Sequence, residues 1–156
     1  MSARGTARRR DSRRGEATKT AEAHASSGPD GTSALSVVFP GTPSSAPAAR
    51  GFLRGVLAAS PRLDDLELIV SELVTNAVRH TPSGQPGGSL TLTVEHAPRR
   101  ARIEVGDLGT ERWQPLPGDP SAEYGRGLLL VMALADGTGH DAIPGQRHRT
   151  WAEVTW

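Results

Sequence analysis

The chain has 156 residues, 36% of them hydrophobic and 22% charged, with no cysteine and a formal net charge of +1. That length suits one domain with its own core, and the missing cysteine excludes a disulfide scaffold, a thiolate metal site and a Cys nucleophile. The longest apolar run, Leu128 to Ala135, has eight residues, against the roughly 20 that a membrane-spanning helix needs, and the Arg-rich start lacks a following apolar segment, so a soluble, cytoplasmic protein is expected.

Residues 1–34 carry seven basic and four acidic side chains and no Leu, Ile, Val or Phe, whereas 35–156 carry 11 basic and 13 acidic ones. The first segment cannot bury enough apolar surface to offset its ordering entropy, and it is expected to be a disordered basic tail outside the domain of residues 35–156. Arg8, Arg9, Arg10, Arg13 and Arg14 could form a nucleic-acid patch. No aromatic residue interleaves them for base stacking, so a solvated tail is preferred and nucleic acid is not an expected partner.

Leu35 to Phe39 alternates and ends at Pro40-Gly41, which predicts a short strand. A helix over about 46–59 follows, with Phe52, Leu53, Val56 and Leu57 on one face. Ser60-Pro61 predicts an N-cap and first helical position for a second helix running to about His80. Its apolar face is Leu63, Leu66, Ile69, Val70, Leu73 and Ala77. Ser89–Glu95 and Ala101–Val105 predict a hairpin. Residues 110–124 read as a long irregular connection with the character of a lid. Gly125-Arg126-Gly127 opens an apolar helix, Leu128–Ala135, and strands near 137–142 and 149–155 close the chain. This order favours an α+β fold, a mixed sheet with helices on one face.

Three places could carry chemistry. Glu72, Asn76, Arg79 and His80 fall on one polar stripe of the long helix, either a solvated face or one that meets a ligand at the Gly/Pro break that follows. Asp107-Leu-Gly109 ends a strand. Its carboxylate can accept from an exocyclic amine such as that of adenine, and Gly109 would let a flat ring approach, although Asp-x-Gly is also ordinary turn chemistry. Gly125-Arg126-Gly127 before a helix would expose free N–H groups to an anion, or would simply be a turn. His96, His140 and His148 lack paired metal-ligand spacing. Trp151 and Trp156 are assigned to sheet packing, and Trp113 stays open.

Taken together, Glu72-Leu-Val-Thr-Asn76-Ala-Val-Arg-His80, Val105-Gly-Asp107-Leu-Gly109 and Gly125-Arg-Gly127-Leu128 resemble the N, G1 and G2 boxes of the GHKL ATPase superfamily. Ser71 to His80 is similar in wording to the anti-sigma-factor serine kinases, especially actinobacterial members. The resemblance covers about residues 35–156. It implies a Bergerat-type two-layer α/β sandwich that binds ATP and Mg²⁺. It further implies Asn76 as the Mg²⁺ ligand, Glu72 as general base, and Asp107 with Gly109 at adenine. Gly125, Arg126, Gly127 and Leu128 would lie at the phosphates, with Arg79 and His80 near them, and Thr150 would support Asp107.

The implied activity is phosphorylation of a Ser or Thr on a small antagonist protein. The implied partners are that antagonist and a sigma factor, and relatives often form homodimers. Glu111 stands where the fuller G1 box has a second glycine, which motivates an alternative: a non-catalytic, ATP-gated protein-binding module.

Overall fold

A computed structural model describes residues 23–28, 30–109, 123–143 and 147–156. Residues 110–122 of the expected lid, with Glu111 and Trp113, lie outside the described residues, as do the five arginines of the tail, while its last two residues, Glu123 and Tyr124, open a helix. In chain order the elements are β1 Ala23–Ser27, β2 Ser33–Pro40, α1 Ser45–Leu57, α2 Leu63–His80, a 3₁₀ turn Pro82–Gly84, β3 Ser89–Ala97, β4 Arg100–Asp107, α3 Glu123–Leu134, β5 Gly137–Ile143 and β6 Arg147–Thr155. The fold is α+β: a six-stranded sheet, ordered β1-β2-β3-β4-β6-β5, under a layer of three helices.

Strand alternation makes the interface between layers. Leu90, Leu92 and Val94 of β3, Ala101, Ile103 and Val105 of β4, and Ala152 and Val154 of β6 all face the helices and are buried. Opposite them lie Ala49 and Leu53 of α1, Leu66, Ile69, Val70 and Leu73 of α2, and Val131 of α3. α2 is the central helix and packs against both α1 and α3. On the solvent side of the sheet, Trp151 packs under the Arg102 guanidinium, 3.9 Å from its ring centroid, while Trp156 lies partly buried against the core, so both tryptophans serve packing as expected.

Three features differ from expectation. The sheet is antiparallel at every described pairing, not mixed. The helical hairpin α1–α2 returns the chain to the end of the sheet that β2 left, so β3 must run opposite to β2. The chain also enters the sheet earlier than Leu35. β1 pairs with β2 from Ala23↔Val37 to Ser27↔Ser33, so residues 23–28 and 30–34 belong to the folded unit and the boundary at 34 moves toward the N-terminus. All five β1 residues are exposed, so pairing is through the backbone and leaves no apolar pattern to read. Finally, α2 begins at Leu63 and not at Pro61: Arg62 takes the N-cap position without a side-chain cap, and the Ser60 hydroxyl accepts from the Arg62 amide at 3.2 Å in the turn before the helix.

Candidate functional site

The expected site residues sit mainly on three elements: α2 carries Glu72, Asn76, Arg79 and His80, β4 ends at Asp107, and the start of α3 holds Gly125, Arg126 and Gly127. Glu72 meets Gly127, and the turn after α2 is bonded to the end of β4. The stripe on α2 forms because its apolar face is consumed by the core, leaving Glu72 and Asn76 on the side toward α3. Glu72 is half-buried, with its carboxylate against Gly127 of α3. A Cβ on Gly127 would lie 2.1 Å from Glu72 Oε2. Gly127 is therefore fixed by Glu72, while Gly125 faces open space. α3 starts at Glu123, so Gly125 and Arg126 sit within its first turn, where backbone N–H groups lack helical partners, rather than ahead of the helix as expected. Leu128 is buried, which makes it a packing residue in this structure.

Asp107 is 7% exposed at the last position of β4. Its Oδ1 is buried and has no hydrogen-bond partner. Burial pushes its pKa up to about 6, against the opposing pull of the Gly109 N–H and of His148. Gly109 is obligatory by proximity: a Cβ there would stand 2.3 Å from Asp107 Oδ1 and 3.0 Å from the His148 Cβ.

Asn76 Nδ2 is likewise buried without a partner. Turned over, the same amide presents Oδ1 there, an oxygen suited to Mg²⁺. No cluster of three or more His, Asp or Glu side chains suitable for a metal exists among the described residues. A Mg²⁺ here would be held by Asn76 together with phosphate oxygens, which is the usual way that ion is bound beside nucleotides. The donor set fits. Arg79 and His80 close the same end of α2, and burial, helped by Arg79, lowers the His80 pKa, keeping that ring neutral at pH 7.

Thr150 is buried on β6 but does not act as expected. His148 stands opposite Asp107 in the β4–β6 register and Thr150 stands opposite Val105. The Thr150 hydroxyl pairs with His140 Nδ1 at 3.0 Å, and His140 Nε2 pairs with His148 Nδ1 at 3.0 Å. The two rings stack with centroids 5.1 Å apart.

Sequence reasoning also missed Ser83. Its buried hydroxyl accepts from the Leu108 N–H at 2.9 Å, tying the turn after α2 to the end of β4. Thr81 Oγ1 accepts from the Ser83 amide at 3.2 Å and donates to Ala77 O at 2.6 Å. Gly84 allows this compaction, since a Cβ there would meet Val78 O at 1.8 Å. The only sequence signal was the Thr-Pro-Ser-Gly helix stop.

A half-buried carboxylate over a glycine, a buried amide nitrogen without a partner, and a buried strand-end carboxylate with one unpartnered oxygen are groups that a polar ligand would complete. Unsatisfied polar groups at the end of a two-layer sandwich suit a polar ligand such as a nucleotide. The family profile of the histidine kinase-like ATPase domain matches residues 39–152. The chain belongs to that family, and with it to the ATP-binding, GHKL-type domains. A comparison with curated proteins finds no match. No helix among the described residues is long and apolar enough to cross a membrane.

Proposed function

We propose that the protein is a regulatory serine/threonine kinase of the anti-sigma-factor type, acting in the cytoplasm on a small antagonist protein and sequestering a sigma factor in its other state. The observation that carries the catalytic half is Glu72, held against Gly127 at the start of α3 and one helical turn from the orphaned Asn76 amide.

Asp107 accepts a hydrogen bond from the adenine amine. The first-turn N–H groups of Gly125 and Arg126 face the phosphates. Asn76 would hold Mg²⁺, which supplies charge neutralisation at the phosphates when bound. Glu72 takes the proton of the attacking Ser or Thr hydroxyl as that oxygen bonds to the γ-phosphorus and the bond to the ADP oxygen breaks. Protein residues mainly position the reactants, so this small set suffices.

The test is Mg-ATP with a candidate antagonist, followed by intact mass spectrometry. Phosphate appears on the antagonist with the parent protein and falls about 100-fold or more with Glu72→Gln, while ATP affinity stays within about twofold. ATP binding without transfer, under conditions where a complex with the antagonist forms, would instead favour the ATP-gated binding module that Glu111 motivates.

A further inference from the structure

The His140–His148–Thr150 array is not used by the chemistry above, yet it abuts the residue placed at the base. All three side chains lie on the helix-facing side of the sheet, since His148 and Thr150 alternate with buried Ala152 and Val154, and His140 stands opposite Thr150. His148 is the cross-strand neighbour of Asp107 on that face, and its Cβ and Cγ lie 3.0 and 3.2 Å from the place a Gly109 Cβ would take, 2.3 Å from Asp107 Oδ1. A flat ligand edge at the unpartnered Oδ1 would have His148 as its neighbour across the strands.

The array sets what His148 can offer. Burial, and His148 itself, lower the His140 pKa, which disfavours a second charge beside His148. Of the two polarities this chain of contacts allows, the one in which the Thr150 hydroxyl donates to His140 Nδ1 has His140 Nε2–H donating to His148 Nδ1 and leaves the His148 proton on Nε2. The Asp107 carboxylate opposite favours this tautomer, because it attracts a positive ring edge. The result is a donor beside an acceptor. Adenine offers the complementary pair side by side on one edge: the amine as donor and ring N1 as acceptor.

We propose that His148, its tautomer set by His140 and Thr150, donates to ring N1 of the base while Asp107 accepts from the amine. His148 is then a specificity-determining residue, and His140 and Thr150 are positioning residues. The proposal rests on the ATP reading above and deepens it.

The experiment is calorimetric titration of the full chain with ATP and with 1-deaza-ATP, which keeps the amine but lacks N1. The parent should bind 1-deaza-ATP about tenfold more weakly, the worth of one hydrogen bond in a desolvated site. In His148→Leu the two ligands should bind alike, and in His148→Gln, which restores an N–H donor, part of the gap should return. His140→Leu, which frees the tautomer, should narrow the gap without abolishing ATP binding. A tenfold gap that persists in His148→Leu overturns the proposal while leaving the ATP site intact. A parent that binds neither ligand overturns the ATP reading itself, and this proposal with it.

Discussion

Polar groups at the two ends of the sandwich are treated in opposite ways. At the end away from the site, Arg62 donates to Leu134 O at 3.0 Å and to Thr155 O at 3.3 Å while pairing with Asp65. Asp136 accepts from the Thr155 amide at 2.7 Å and from its hydroxyl at 2.9 Å, and the Trp156 amide donates to Arg99 O at 3.0 Å. These contacts close the ends of α3, β6 and the β3–β4 hairpin on one another. At the site end, Asn76 Nδ2 and Asp107 Oδ1 are buried and unpaired. A native chain tolerates such groups where a ligand completes them, because each one otherwise costs stability. One end holds the fold together, and the other keeps polar groups that a ligand would complete.

That contrast can be broken or sharpened by substitution. The largest effect is expected from Gly127→Ala, which forces the Glu72 carboxylate away from α3. Phosphate transfer should fall about 10- to 100-fold, while thermal unfolding shifts little, because the clash is with the far end of a flexible side chain. Asp107→Ala should weaken ATP binding about 10- to 100-fold in calorimetry, the worth of a hydrogen bond to a charged group. Arg62→Ala belongs to the other end. It should lower stability by about 1–2 kcal/mol in denaturant melts and leave ATP affinity unchanged.

The smallest effect is in pH. The Asp107 pKa is raised by folding to about 6, so the folded state binds the extra proton and stability increases as pH falls from 7 to 5. The ligand-free parent should gain about 1 kcal/mol from this group over that window, and Asp107→Ala should lose that share of the slope. ATP affinity should move the other way, weakening as the carboxylate is neutralised below about pH 6.

Much of this was legible in the sequence where one element carries both signals. α2 shows its apolar face and its polar stripe in a single 18-residue helix, and the β3–β4 alternation ends directly at Asp107. What stayed hidden depends on long-range register. β1 pairs through its backbone with every residue exposed. His140 and His148 meet only because β5 and β6 pair with Ala142 opposite His148, which sets the two histidines on a diagonal. The same register turns the Thr150 hydroxyl toward His140 instead of Asp107. The constraint on Gly127 comes from a side chain 55 positions away on another helix.

Calorimetric titration of Mg-ATP into the full chain and into Asp107→Ala tests the central claim most directly. Saturable binding by the parent is predicted, weakened at least tenfold in a variant that still unfolds cooperatively at or above the parent's midpoint. No binding by the parent, or equal binding by the folded variant, would contradict the placement of a nucleotide at the unsatisfied end of the sandwich.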